Sequence, residues 1–214
     1  MVYFKNTSII CIIKRACQIK AVIIMNVYLY FILSYFIGNL MTGYTLVKLS
    51  WNKDIRDLGS GNVGARNAGR LFGKKFFVLT FLGDALKGSL VIFIGQSLDY
   101  STSAQLVGLE LAVIGHILPV LLRFSGGKGV STFIGGMLAF NPIVAVVIIV
   151  GFLIISPLTK SFTIAGLVSL LMIPLYFYLY ENTHDLAFLV LGMVIIIIVA
   201  HSKDILERMK RDER

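Results

Sequence analysis

Two glycine-rich segments carry basic residues at spacings suited to holding an oxyanion. The first runs Gly59-Ser60-Gly61-Asn62-Val63-Gly64-Ala65-Arg66-Asn67-Ala68-Gly69-Arg70. Its glycines let backbone amides turn toward a ligand, and its guanidinium groups can grip phosphate oxygens in a bidentate manner. The second begins Gly115-His116-Ile117-Leu118-Pro119 and continues Arg123-Phe124-Ser125-Gly126-Gly127-Lys128-Gly129-Val130. Here Gly126, Gly127 and Gly129 surround Lys128 just before a new apolar run, so amides near a helix start and one ammonium can converge on an anion. The Walker spacing G-x-x-x-x-G-K-[ST] is absent and no strand precedes the loop, which disfavours ATP. For either loop a plainer reading stands beside this one: a flexible interhelical connection carrying topological charge.

Other ionisable residues are sparser. Asp84 and Lys87 lie three apart within an apolar run, hence on one helical face, and could serve function or merely neutralise each other. His116, one histidine near a helix end, reads first as a hydrogen-bonded structural residue. Glu110 has no obvious partner. His201 starts the segment His201-Ser202-Lys203-Asp204, where it could act as a base or as a phosphate ligand, or simply belong to a solvated basic tail. No grouping of His, Cys and carboxylates has metal-ligand spacing, so no metal and no other cofactor is expected.

The elements that must position these loops are membrane helices. Of 214 residues, 57% are hydrophobic and 14% charged, more apolar material than a soluble domain of this size can bury. The formal charge of +9 does not indicate nucleic acid, because Lys and Arg cluster between long apolar runs and form no basic face with interleaved aromatics. Cys11 and Cys17 make neither a metal motif nor a disulfide framework.

With about twenty apolar residues needed per crossing, the pattern predicts an all-α integral membrane protein of about seven transmembrane helices with glycine-basic active-site loops on the cytoplasmic side. The spans are Asn26–Val47, Phe76–Leu98, Ala104–Arg123, Val130–Phe140, Ile143–Leu158, Ile164–Tyr180 and Leu186–His201, the fourth too short to cross comfortably by itself. Basic residues collect in Lys48–Lys75, in the 123–130 turn, at Lys160 and in the tail after His201. The alternate connections Asp99–Ser103, Asn141–Pro142 and Glu181–Asp185 carry no Lys or Arg, so the basic segments face the cytoplasm.

Residues 1–24 break this agreement, because Lys5, Lys14, Arg15 and Lys20 fall on the external side. They read as an N-terminal extension, and Met25 before the first span is a plausible internal start. The remaining organisation is a single polytopic domain over 25–201 and a basic cytoplasmic tail over 202–214.

Three separated motifs resemble the bacterial acyl-phosphate:glycerol-3-phosphate acyltransferase family. They are Gly59–Arg70, close to G-S-G-N-x-G-A-T-N-x-x-R; Asp84-Ala85-Leu86-Lys87-Gly88, like D-x-x-K-G; and Gly115-His116 through Gly126-Gly127-Lys128-Gly129-Val130. The likeness spans Met25 to His201. Arg66 stands where the family usually has Thr. The terminal pattern R-H-x-x-N-I-x-R becomes Ala200-His201-Ser202-Lys203-Asp204-Ile205-Leu206-Glu207, which keeps the histidine.

The resemblance implies acyl transfer from acyl phosphate to the 1-hydroxyl of glycerol 3-phosphate, giving lysophosphatidic acid and phosphate as the first step of phospholipid biosynthesis. It further implies a multi-pass protein of the bacterial inner membrane with a cytoplasmic active site. Lys128 and the amides of Gly126, Gly127 and Gly129 are assigned to one phosphate. Ser60, Asn62, Asn67 and Arg70, with Gly59, Gly61 and Lys87, are assigned to substrate, and His201 to orientation or proton acceptance. Ser60, Lys128 and His201 form the expected catalytic set. The implied partners are the two substrates and the bilayer, and a soluble enzyme that makes acyl phosphate is a further partner left open.

The His-x-x-x-x-Asp pair of soluble acyl-CoA acyltransferases is absent, since none of His116, His184 and His201 has Asp five positions on. Two other readings remain: a small transporter or channel with Asp84 and Lys87 lining its pathway, and an impaired paralogue that binds lipid precursors without turnover.

Overall fold

The computed structural model describes residues 26–159 and 161–206, and those residues form helices and turns with no strand. The expected extension 1–24, Met25, Lys160 and the tail beyond residue 206 lie outside them.

The order is α1 (26–38), α2 (Thr42–Trp51), α3 (Ala65–Phe72), α4 (Lys74–Ser97), α5 (Thr102–Ile117), α6 (Val130–Phe140), α7 (Ile143–Thr159), α8 (Phe162–Leu179) and α9 (His184–Ala200). Four stretches are long and apolar enough to cross a bilayer: Asn26–Trp51, Lys74–Ser97, Thr102–Leu122 and Phe162–Leu179. Val130–Phe140, Ile143–Thr159 and His184–Ala200 are shorter apolar helices. Large apolar side chains such as Leu86, Phe93, Leu153, Phe188 and Val199 face outward, each more than half exposed. Helices apolar on their outer faces need a hydrocarbon solvent, so the chain is a membrane protein.

The first expected span is not continuous, because Asn39, Leu40 and Met41 separate α1 from α2. The break is supplied with hydrogen bonds from elsewhere. The Asn39 amide side chain donates back to the Tyr35 carbonyl at 2.7 Å, Lys87 Nζ donates to the Leu40 carbonyl at 2.7 Å, and the Thr42 N–H reaches Asp84 Oδ1 at 3.4 Å. Freed backbone groups at membrane depth persist only where protein satisfies them, and residues of α4 do so here.

α4 is the hub, packing against α2, α3, α5 and α6, while α8 packs on α7 and α9, and α9 on α5. Ile92, Leu106, Leu109, Val113, Phe133, Met137 and Ile197 fill the core between α4, α5, α6 and α9 with no exposed surface. The α4–α6 crossing is the tightest seam. A Cβ on Gly88 would collide with the Thr132 carbonyl oxygen, and one on Gly135 with the Ala85 carbonyl oxygen. Small residues allow this backbone approach, and Ser89 Oγ adds a hydrogen bond across it to the Gly135 carbonyl at 2.8 Å.

α5 ends where Pro119 follows Leu118, because proline lacks an N–H and restricts its predecessor. A single 3₁₀ turn, Val120–Leu122, then leads into the second glycine loop.

The reciprocal glycine contact predicts that Gly135→Leu lowers stability by about 1–3 kcal/mol through overpacking. Gly166→Ala, where a Cβ meets nothing within 4 Å, should be neutral or slightly stabilising. Thermal unfolding of the purified variants in detergent separates the two, and equal melting temperatures would show that the seam adapts.

Candidate functional site

The first glycine loop is shaped by residues outside its glycines. Asp54 caps the short turn Ile55–Asp57 by accepting from the Arg56 N–H at 2.9 Å, and it also pairs with the Arg56 guanidinium at 2.6 Å. That hydrogen-bonded guanidinium holds the Asp54 carboxyl below its ordinary range. Arg56 Nη1 also donates to the Leu122 carbonyl at 3.0 Å, joining the first loop to the second.

Beyond this clamp, Gly59 and Gly61 adopt φ of +60° and +72°, left-handed geometry that favours glycine. Asn67 of α3 is buried beneath them. Its Oδ1 accepts from the Ser60 N–H at 3.1 Å, and its Nδ2 donates to the Leu58 and Asn62 carbonyls at 3.0 and 2.9 Å. Asn67 is thus a strut, with its amide committed to loop backbone, although its side chain also borders the cavity described below. Gly59 and Gly61 shape the loop without lining that cavity, whereas Ser60, Asn62, Asn67 and Arg70 do line it.

The second loop folds back on the end of α5. The Gly127 N–H donates to the His116 carbonyl at 3.0 Å, so that amide is not free for a phosphate. A Cβ on Gly126 would strike the same carbonyl, and one on Gly127 would strike the His116 ring. The glycines at 126 and 127 are therefore required for close packing on α5, a correction to the expected cradle of amides. From this loop Lys128 and Gly129 reach the cavity, and Gly129, at φ +83°, starts α6.

Lys87 is also not where the sequence reading puts it. Its side chain is 5% exposed, and its ammonium lies 3.0 Å from Asp84 Oδ1, 2.8 Å from His116 Nδ1 and 2.7 Å from the Leu40 carbonyl. It does not line the cavity. An ammonium is a pure donor, so His116 Nδ1 accepts and the neutral imidazole carries its proton on Nε2. The 3.8 Å approach of His116 to Asp84 is then not an ion pair. His116 itself lines the cavity, buried against Gly127, which the sequence reading did not anticipate.

The cavity holds about 1140 Å³ between α3, α4, α6, α7 and α8, with His116 of α5 and the residues just after α9 also lining it. One part is polar, with Ser60, Asn62, Arg66, Arg70, Lys128, His201 and Asp204; the other is apolar, with Phe77, Phe81, Ile148, Phe152, Phe162 and Leu170. His201 Nδ1 lies 2.8 Å from the Ile197 carbonyl, which can only accept, so Nδ1 carries the proton and Nε2 keeps a lone pair in the neutral ring. Lys128, with no acidic residue near it in sequence, forms an ion pair with Asp204. Arg66 donates to Thr163 Oγ1 of α8, tying α3 to the far side of the cavity. Burial, then Arg70, pull its proton affinity down while Asp204 pulls it up; the guanidinium stays charged.

Sequence reasoning therefore found Ser60, Asn62, Asn67, Arg70, Lys128, Gly129 and His201 among the cavity residues and missed His116, the Asp204 partner of Lys128, the Arg66 crossing and the phenylalanine wall. The Asp54-x-Arg56 spacing carried a detectable cap signal. The remaining contacts join residues far apart in the chain.

The buried cluster predicts that Lys87→Met leaves Asp84 uncompensated and destabilises the protein by about 3–5 kcal/mol. A paired Asp84→Leu should recover part of that loss. Thermal unfolding of the single and double variants decides the matter. A Lys87→Met protein of undiminished stability but slowed turnover would return Lys87 to the substrate.

Comparison with known proteins agrees with this arrangement. The family model described as glycerol-3-phosphate acyltransferase matches residues 28–211. "Glycerol-3-phosphate acyltransferase 1" of Bacillus cereus (strain ZK / E33L) is 42% identical over 174 residues, 81% of this chain and 92% of the relative. The protein of the same name from Desulfitobacterium hafniense (strain Y51) is 38% identical over 181 residues, 85% of this chain and 90% of the relative. Among solved structures, PlsY, an integral membrane glycerol 3-phosphate acyltransferase, superimposes in its glycerol 3-phosphate form with a TM-score of 0.79 at 29% identity, covering 86% of this chain and 92% of that one. Its lysophosphatidic acid form gives a TM-score of 0.77 at 28% identity, over the same shares of the two chains. With its family model matched along nearly the whole described length and its helical fold shared, this chain belongs to the glycerol-3-phosphate acyltransferase family.

Proposed function

We propose that the protein transfers an acyl group from acyl phosphate to the 1-hydroxyl of glycerol 3-phosphate, releasing lysophosphatidic acid and inorganic phosphate. The observation that carries this reading is the single cavity with a cationic part and an apolar part. A phosphate-bearing polar acceptor suits the first and a fatty acyl chain the second. The names of the family relatives, and the glycerol 3-phosphate and lysophosphatidic acid forms of the PlsY structure, support the acceptor and product.

Acyl phosphate is a mixed anhydride with a good leaving group. The glycerol hydroxyl oxygen attacks the acyl carbon, the bond from that carbon to the phosphate oxygen breaks, and the proton leaves the hydroxyl for the departing phosphate or for His201 Nε2. No covalent enzyme nucleophile is needed. Holding two reactants in one cavity and stabilising charge on the phosphate supply the acceleration. Lys128 and Arg70 are the proposed phosphate ligands, Ser60 and Asn62 the neutral polar contacts, and His201 the orienting group or proton acceptor.

A transporter reading is weaker, because Asp84 and Lys87 bond to each other, to His116 and to the α1–α2 break and do not line the cavity. We further propose seven crossings in the bacterial inner membrane with the cavity's polar part facing the cytoplasm, from the alternation of Lys/Arg-rich and Lys/Arg-free connections.

The topology is tested by single cysteines in a background with Cys11 and Cys17 replaced by Ser. Labels at Ser60, Ser125 and Ser202 should react only from the cytoplasmic side, and a label at Ser101 only from outside. External reaction at Ser60 or Ser125 contradicts the orientation.

The reaction is tested with the purified chain in nanodiscs, acyl phosphate and radiolabelled glycerol 3-phosphate. Wild type should form lysophosphatidic acid. Lys128→Ala should cost a charge-assisted contact of about 1.5–3 kcal/mol, at least about tenfold in rate, with folding intact. Lys128→Arg should recover only part, since the planar guanidinium is bulkier and differently directed. Near-equal rates for all three would remove Lys128 from the site.

A further inference from the structure

The polar part of the cavity already contains an oxyanion. Asp204, just beyond α9, pairs through Oδ2 with Lys128 Nζ, and both side chains line the cavity. Lys128 is 21% exposed and Asp204 39%, so the pair is reachable by a ligand that enters the cavity. To an ammonium, a carboxylate oxygen and a phosphate oxygen offer the same chemistry: an anionic acceptor for charge-assisted N–H bonds.

Neither member is otherwise committed. Among the described residues Lys128 Nζ has no other hydrogen-bond partner, and neither has the Asp204 carboxylate. Arg66 lines the same cavity, with its guanidinium held to Thr163 on α8, so a third cation faces the space that Asp204 shares.

We propose that Asp204 is a resident competitor for Lys128, an intramolecular oxyanion that a substrate phosphate must displace, and that it thereby sets the site's affinity for phosphate monoesters and acyl phosphates. Arg66 offsets the negative charge that Asp204 brings to the cavity. This rests on the proposed acyl transfer for the identity of the substrates, and on the ion pair alone for the competition. A pair this exposed is screened by water, so its removal should strengthen phosphate binding by about two- to fivefold and not by orders of magnitude.

The test uses the full chain in nanodiscs with Asp204→Asn, and with Asp204→Ser as a second neutral replacement. KM is measured for glycerol 3-phosphate at saturating acyl phosphate, and for acyl phosphate at saturating glycerol 3-phosphate. Thermal protection by inorganic phosphate is measured separately, without turnover. The expected result is an about two- to fivefold fall in one of the two KM values in both variants, with protection at correspondingly lower phosphate concentration. The substrate whose KM falls is the one whose phosphate meets Lys128. In a Lys128→Ala background the same substitutions should give no gain in either measurement.

A carboxylate that only straps the segment after α9 to the start of α6 would instead raise both KM values, or leave them unchanged, with weaker or unchanged phosphate protection. That outcome overturns the competitor. Absence of acyl transfer by wild type would sink the proposed function, and the phosphate-protection comparison would still decide the competition at Lys128.

Discussion

The ammonium of Lys87 is the point on which the arrangement turns. A lysine 5% exposed in a membrane helix is costly unless every donor is used, and here the three partners come from three parts of the chain. Asp84 on its own helix supplies charge, the Leu40 carbonyl supplies the open end of the break between α1 and α2, and His116 supplies a lone pair near the end of α5. One group thereby fixes the position of α1–α2 against α4 and the tautomer and ring orientation of His116. The ring in turn leaves no room for a side chain at Gly127, whose N–H bonds to the His116 carbonyl. The loop that carries Lys128 is thus held in register by a cluster of which His116 borders the cavity while Asp84 and Lys87 stand behind it.

A similar division separates holding from binding in the first loop. Asn67 consumes its whole amide on the loop backbone, and Arg56 reaches across to the Leu122 carbonyl, so the two loops are bonded to each other before any ligand arrives. Ser60, Asn62 and Arg70 can then face the cavity from a backbone that Asn67 braces at Leu58, Ser60 and Asn62. Preorganisation of this kind matters for charge stabilisation, because groups already fixed need not reorganise when charge develops.

The membrane class, the helical order and the two loops were legible in the sequence because each is local. Apolar runs of the right length, prolines and glycines at their ends, and clustered Lys and Arg are read within a few residues of one another. Val130–Phe140 was delimited correctly because Gly129 and Asn141 flank a short apolar run. The break at residues 39–41 was not legible, since it has no proline and its hydrogen bonds come from α4. Lys87 was misassigned for the related reason that its motif looks the same whether the ammonium faces a ligand or a backbone carbonyl 47 positions away. The Lys128 partner lies 76 positions along the chain, and the phenylalanine wall combines α4, α7 and α8. Spacing along one segment cannot report such meetings.

The charge content of the cavity bears on how the proposed transfer would gain its rate. Among the described residues, Arg66, Arg70 and Lys128 face it with one carboxylate, Asp204, leaving a formal excess of positive charge beside an apolar wall. Such an excess draws phosphate-bearing molecules in, but attraction alone binds reactants and transition state equally and accelerates nothing. In the proposed reaction the negative charge moves: as the anhydride bond breaks, charge grows on the leaving phosphate. A cation poised at that oxygen therefore interacts more strongly with the transition state than with the bound substrate. The apolar wall enlarges the difference by excluding water that would screen it, whereas displacing the Asp204 carboxylate from Lys128 costs the bound and the departing phosphate alike, and so bears on affinity and not on that difference.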